Sequence, residues 1–395
     1  MELLLYLYIL IVVYLFFKYS RIRTLYIFSP YILIYLNFIF NDAIPFLFFY
    51  PDVPENIQYT TFTAAIINLS FLFLFRKQAQ VPISINLPSS IELNKKRKIL
   101  LSCFVFFLLW AGVMSGVLIN LLRGNNIEDL RRTSEIGVGV IRDIPMLGIQ
   151  IIMLVLFLQK TWKCYYKVVA FYSFCLSVFL FLTTGNKGGV LVGVTLFLLF
   201  FHLKKRGFKW YEYVLYYLAM PLAAGTLQGI RGGDLTLIAS QIAVFFSYPV
   251  ILYQANSIPI MNAVGTENFF WGEEYYTGLV KFIPRFLWPD KPLSFDYKLK
   301  ELANYDFEGG GIYTTLCNDL YINFGYYYFI FYILWLLFIH YLYGMVMDDK
   351  RFYYSRIIAL FIILMGGIAS TIGSCEILLL FLLFLILYYS RVKTL

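Results

Sequence analysis

The sequence predicts an all-α polytopic integral membrane protein with about eleven transmembrane helices and one large external loop domain. Three observations predict it. Apolar runs long enough to cross a bilayer repeat from one end of the chain to the other. Lysines and arginines gather between alternate runs, so that threading the chain back and forth puts the clusters on one face. Composition agrees: 61% of the residues are hydrophobic, 14% are charged, mean hydropathy is +0.73, and 395 residues include 40 Phe and 34 Tyr. That is far more apolar than a soluble core requires, so soluble fold classes are excluded.

Each span follows from that threading. Leu3–Phe17 runs inward and stops at Lys18, Arg21 and Arg23, and Leu25–Phe40 returns to the outer face. Thr60–Phe75 ends on Arg76, Lys77 and the Lys95–Lys98 run, and Ile99–Leu121 leads out again. Pro145–Leu158 reaches Lys160, Lys163 and Lys167; Val168–Thr183 and Gly188–Phe201 flank a short external turn and end on Lys204, Lys205, Arg206 and Lys209. Tyr211–Leu227 opens into the long loop, Asn323–Tyr343 returns to Lys350, Arg351 and Arg356, and Ile357–Ile372 with Cys375–Tyr389 finish at Arg391 and Lys393. Residues 1–228 are thus expected to hold eight spans, 229–322 the large external loop, and 323–395 three more spans. The N-terminus falls outside and the C-terminus inside, with about two thirds of the 32 Lys and Arg on the inner face.

One stretch, Leu235–Thr266, carries no charge after threading yet would invert every later cluster if it crossed the membrane. An interfacial or re-entrant segment broken at Pro249 satisfies both constraints, because irregular backbone at membrane depth is tolerated where protein or water lines it. The net charge of +9 is then loop charge that sets orientation and meets anionic lipid headgroups, so membrane lipids are partners and nucleic acid is not. Cys103, Cys164, Cys175, Cys317 and Cys375 have no CxxC spacing, so neither a disulfide framework nor a thiolate metal site is indicated. The first apolar run precedes its cations, the reverse of a cleavable signal. No internal repeat is visible.

Chemistry concentrates where cations break the inner-face trend. Arg123, Arg131, Arg132 and Arg142 lie between spans four and five, Lys187 occupies the turn from Thr183 to Gly189, and Arg231, Lys281, Arg285, Lys291, Lys298 and Lys300 lie in the long loop. Fixed cations at a membrane surface suit an anionic ligand, and the arginine fork matches phosphate. Each has a plainer reading. Arg131 and Arg132 sit among Glu128, Asp129, Glu135 and Asp143, as on a surface helix; Lys187 fits a glycine-rich turn with a snorkelling side chain; Arg231 can pair with Asp234. The histidines, His202 and His340, fall towards the inner side and suit core or interfacial positions, so no metal site is expected.

A succession of motifs then narrows the field. Thr184-Gly-Asn-Lys-Gly188 forms a turn and Arg231-Gly follows a span; Ile283-Pro-Arg-Phe-Leu-Trp-Pro-Asp-Lys-Pro292 makes a rigid bend, and Asp319-Leu-Tyr-Ile-Asn-Phe-Gly325 begins a late span. In this order and placement the chain resembles the O-antigen polymerase (Wzy) and oligosaccharide repeat-unit polymerase family. The likeness covers most of Thr183–Gly325 and, more loosely, the multispan layout. Lys187 stands where the family often has arginine, and Asn318-Asp319 where glutamate is common.

The resemblance implies a GT-C-like membrane glycosyltransferase at the periplasmic face of the bacterial inner membrane. Such an enzyme transfers a growing glycan from undecaprenyl pyrophosphate to the non-reducing end of an undecaprenyl-pyrophosphate-linked repeat unit, without metal or cofactor. A chain-length regulator protein is a further implied partner. The departing pyrophosphate needs fixed positive charge, for which Arg231 and Arg285 are the candidates, helped by Lys187, Lys291, Arg131 and Arg132. The acceptor hydroxyl needs a carboxylate to take its proton, with Asp319 first and Glu274 second. Tyr275, Tyr321, Trp271 and Trp288 offer faces for sugar. Arg285 also fits a structural role in its proline-rich bend, and Asp319 fits a helix cap. A lipid-linked oligosaccharide flippase or an O-antigen ligase remain the alternatives. Span interiors that read as nearly free of charge favour the enzyme over the transporter.

Overall fold

A computed structural model describes residues 2–20, 30–75, 249–280, 283, 287–292, 295–305 and 314–347, with isolated positions at 102, 168, 171, 226, 247 and 359. The chain divides into two compact units, and every continuous described stretch belongs to the one made of Met1–Ile85, Ser247–Asp306 and Gly311–Leu395. Expected spans four to eight, ten and eleven lie outside the described residues. Among the described residues every regular element is helical and none is a strand.

Helix α1 spans Glu2–Ser20, with Glu2 in its first turn and Lys18 in its last, each at the dipole end that suits its charge. Helix α2 spans Pro30–Phe38 and passes through a π-turn at Ile39–Ala43 into α3, Ile44–Phe49. The sequence places the end of this span at Phe40, because Asn41, Asp42 and Pro45 read as terminators. Helical backbone instead continues to Phe49. Pro45 has no N–H for an α-helical bond, and the extra residue of the π-turn accommodates it, turning Asp42 inward to 4% exposure. Helix α4 then spans Glu55–Leu74.

The same device recurs later in the chain. Helical backbone is described from Pro249, the position where the sequence predicts a break, to residue 252. A second π-turn follows at Tyr253–Ser257, ahead of α5, Ile258–Val264, which carries Pro259 in its first turn. Pro259 cannot donate to the carbonyl four residues back, that of Ala255, and the Tyr305 hydroxyl donates to it instead. Two short helices follow, α6 at Glu273–Val280 and α7 at Phe295–Leu302.

Helix α8, Leu316–Phe324, leads through a 3-10 turn at Gly325–Tyr327 into α9, Tyr328–Met347. Helical backbone therefore starts at Leu316, ahead of the Asn323 expected from hydropathy. Gly325, at φ 58° and ψ −138°, reverses the chain. Asn318 and Tyr328 both reach Thr60: its hydroxyl donates to Asn318 Oδ1 at 3.0 Å, and its carbonyl accepts from the Tyr328 hydroxyl at 2.7 Å. Tyr332 likewise comes beside Cys317, a pair that one straight helix would hold about 22 Å apart. Helices α8 and α9 thus form a hairpin. Beyond Thr60 the Tyr332 hydroxyl donates to Asn68 at 2.9 Å, and His340 stacks on Phe75 at 3.9 Å. These pairings ascend together along both helices, so α4 and α9 run parallel.

Beside its apolar core the bundle buries several polar side chains and leaves many large apolar ones exposed. Thr60, Asn68, Asn318 and Asn323 are 0% exposed, while Leu3, Phe48, Phe73 and Leu74 are 67–75% exposed. Such exposure of large apolar side chains suits a lipid environment, in which polar groups must find partners inside the bundle. The stretches Glu55–Leu74, 20 residues, and Leu316–Val346, 31 residues, are long and apolar enough to cross a membrane. Since Gly325 folds the second, α9 alone provides about 30 Å of rise.

Candidate functional site

Helix α8 carries Asp319 to Phe324 of the acidic motif, and its local folding decides what Asp319 is free to do. Thr315 caps the helix, its hydroxyl accepting from the Asn318 N–H at 3.4 Å. Asp319 stands one turn further in, with its N–H on the Thr315 carbonyl at 2.8 Å, and is 1% exposed. Its carboxyl therefore does not serve as the cap. Asn323, a turn later on the same face, donates from Nδ2 to the Asp319 carbonyl at 3.0 Å and to Glu274 Oε2 at 2.8 Å.

Glu274 arrives from the segment that covers α8. Gly265 at φ 59°, Trp271 at φ 50° and Gly272 at φ 85° turn that segment sharply before α6. The Phe270 N–H donates to the Ile322 carbonyl at 3.1 Å, and Phe269 packs edge-on against Tyr321 at 5.4 Å. Tyr275 stacks on Phe324 with centroids 5.7 Å apart and planes 11° from parallel. Burial first, then the charges of Asp319 and Glu274, push the Tyr275 phenol well above the ordinary tyrosine range. Its hydroxyl has no hydrogen-bond partner among the described residues. Two carboxyls, a carboxamide and a phenol thus share one site, with Asp319 and Asn323 buried and Glu274 and Tyr275 half-buried, an arrangement able to accept a proton from a hydroxyl and to orient the oxygen that loses it.

The other expected residues are placed variously. Tyr321 is 0% exposed and its hydroxyl donates to the Gly265 carbonyl at 3.2 Å, tying the covering segment to α8. Lys291 donates to the Ile283 carbonyl at 2.9 Å across the proline-rich bend. Trp271 presents an exposed face, 66% accessible. Glu273 pairs with Lys298, and Lys300, 6% exposed, lies 5.5 Å over the Tyr297 ring. Arg231, Arg285, Lys187, Arg131 and Arg132 lie outside the described residues.

The sequence reading gives Asn323 no role in this site and places Asp42, which lies outside it, in an external loop. Asn323 is legible as a motif member, and its spacing of four from Asp319 is the signal that puts both on one helix face. Asp42, external on the threading, is buried within the α2–α3 stretch, so the inference that span interiors are nearly free of charge needs correcting. No protein-family profile, no curated protein and no solved structure matches the chain.

Proposed function

We propose that the protein is a polysaccharide repeat-unit polymerase of the bacterial inner membrane, with its N-terminus in the periplasm and its C-terminus in the cytoplasm. The observation that carries the reading is the meeting of Asp319, from the Asp-Leu-Tyr-x-Asn-Phe-Gly motif, with Glu274 and Tyr275 of the long loop. In the proposed reaction the acceptor sugar hydroxyl gives its proton to Asp319 and its oxygen bonds to the anomeric carbon of the donor glycan. The bond from that carbon to undecaprenyl pyrophosphate breaks, and Arg231 and Arg285, with Lys187 or Lys291, stabilise the departing charge. The parallel course of α4 and α9 supports the threading, which makes both of them outward-to-inward spans.

Asp42 supports a second reading, a transporter of lipid-linked oligosaccharide, because a carboxyl inside a bundle is the kind of group transport requires. Deletion of the gene separates the two. Loss of polymerase leaves glycan of one repeat unit in place of a ladder, whereas loss of a flippase removes repeat units from the outer leaflet. A full-length ladder in the deletion strain overturns both. Purified protein that joins lipid-linked repeat units, rather than passing finished glycan to lipid A core, distinguishes polymerase from ligase. Single cysteines at Asn304 and Lys205, in a cysteine-free background, test the orientation: an impermeant thiol reagent should label them from opposite sides.

A further inference from the structure

Asp319 lies beneath a cover. It is 1% exposed and Asn323, a turn later on the same face of α8, is 0% exposed, so an incoming sugar hydroxyl cannot touch either as the chain is arranged. Another side of α8 is held by α4, through Thr60 and Asn318. The segment 265–275 covers the Asp319 face and rests on α8 through three hydrogen bonds. The Tyr321 hydroxyl donates to the Gly265 carbonyl at 3.2 Å, the Phe270 N–H to the Ile322 carbonyl at 3.1 Å, and Asn323 Nδ2 to Glu274 Oε2 at 2.8 Å. Each can pass to water when the segment lifts, so breaking them has a modest net cost. The ties of the segment to α7, Phe270 with Phe295 and Glu273 with Lys298, lie within the long loop itself and need not break.

The backbone of the same segment is suited to movement. Gly265, at φ 59° and ψ −130°, and Gly272, at φ 85°, have no Cβ to restrict a change of angle. Trp271 is held at φ 50°, a left-handed conformation that lowers the population of an L residue by about tenfold. Its indole is 66% exposed, so burial offsets little of that strain. A strained residue of this kind persists only where its surroundings over-determine it, and such residues cluster at clamps and switches. Here the surroundings include the packing on α8, with Phe269 edge-on against Tyr321 at 5.4 Å and Tyr275 stacked on Phe324 at 5.7 Å. The closed arrangement therefore holds strain at Trp271 that opening releases.

We propose that the segment 265–275 is a hinged cover over Asp319, turning at Gly265 and at Trp271 with Gly272, which opens to admit the acceptor and closes to bring Glu274 onto Asn323. Naming the acceptor rests on the polymerase reading; the opening does not, and the test reads opening without turnover. It uses the purified full-length protein in detergent, with every cysteine replaced except the one probed, and measures the rate of alkylation by N-ethylmaleimide. Asp319→Cys reports the cover. Native Cys317, 1% exposed and two residues earlier on the opposite side of α8, reports unfolding of the bundle. Asp319→Cys should react about tenfold faster than Cys317, or more, because local opening precedes global unfolding.

Trp271→Asn and Trp271→Val both remove the indole, but asparagine tolerates left-handed backbone and β-branched valine does not. Asp319→Cys should therefore react about tenfold faster in the Trp271→Val protein than in the Trp271→Asn protein, while Cys317 reacts equally in both. Asn323→Cys, under the same cover, takes the place of Asp319→Cys if the latter does not fold. Equal rates at Asp319→Cys and Cys317 mean that the site opens only when the bundle unfolds, and overturn the proposal. Equal rates in the two Trp271 variants, or a matching change at Cys317, overturn it too. A protein that shows the expected rates yet joins no lipid-linked repeat units keeps the cover and loses the polymerase reading.

Discussion

Asp319 and Asp42 are 1% and 4% exposed, and both sit in helical segments of the same bundle, yet their surroundings have little in common. Around Asp319 stand the Asn323 amide, which links the Asp319 backbone carbonyl to the Glu274 carboxylate, and the Tyr275 phenol. Around Asp42 stand hydroxyls and a thiol. The Glu274 carboxylate offers an oxygen to an incoming hydroxyl's proton, and the Asn323 amide holds that carboxylate in place. Asp42 Oδ1 is instead buried with no hydrogen-bond partner among the described residues. The same residue type thus sits beside an amide-bridged glutamate in one place and keeps a buried, unpartnered oxygen in the other, and the difference comes from what the neighbouring elements present.

The sharpest way to break the comparison is at Asp319. If it is the proton acceptor, Asp319→Asn lowers polymerisation of lipid-linked repeat units by about 10²–10⁴-fold with insertion unchanged, and Glu274→Gln lowers it less. Equal losses would make the two carboxyls one shared unit. Arg231→Lys and Arg285→Lys keep charge but lose the fork, and each should cost about 3 to 4 kcal/mol of transition-state stabilisation, or a hundred- to thousand-fold in rate. Near-normal activity in both removes them from the mechanism.

Smaller effects sharpen the structural half of the comparison. A Cβ at Gly325 would lie 2.6 Å from Phe269 Cε2, on backbone at φ +58°, so Gly325→Ala should lower stability by about 2 to 5 kcal/mol by straining the turn and displacing the covering segment. Gly344→Ala, inside α9 with nothing within 4 Å, is the control and should leave the unfolding midpoint unchanged or slightly higher. Asn323→Ala removes the bridge to Glu274 and should cost about 1 to 3 kcal/mol, read as a lower midpoint in detergent. Lys298→Ala breaks a pair whose side chains are 36% and 30% exposed, and should cost under about 1 kcal/mol.

What is legible in the sequence follows one rule, and what is not follows another. Hydropathy finds α1, α4 and α9 to within a few residues, because lipid-facing length is written in consecutive apolar positions. It ends the second span at Phe40 because it treats Asn, Asp and Pro as outside the membrane. Inside a bundle those residues can be turned towards polar partners, and a π-turn makes room for them, as at Asp42 and Pro45. The site is legible in its parts, since the chemistry of Asp319, Glu274 and Tyr275 singles each of them out. Their meeting is not legible, because it depends on positive φ at Trp271, Gly272 and Gly325, which set where the chain reverses. The hairpin of α8 and α9 escapes for the same reason: one glycine decides it within an apolar run that hydropathy reads as continuous.

The pairing of α4 with α8 and α9 also sets a timetable for the cell. Thr60 finds its partners 258 and 268 residues later in the chain. At about 5–20 residues translated per second, α4 waits on the order of 13 to 50 s between its own synthesis and theirs. During that interval Thr60 and Asn68 face a membrane or an insertion machinery with their permanent partners still unmade. A helix with that much buried polarity must be sheltered by an earlier neighbour or retained by the translocon. Ribosome stalling between residues 75 and 316, with proteolysis as the readout, would therefore catch α4 in a state that the finished protein never shows.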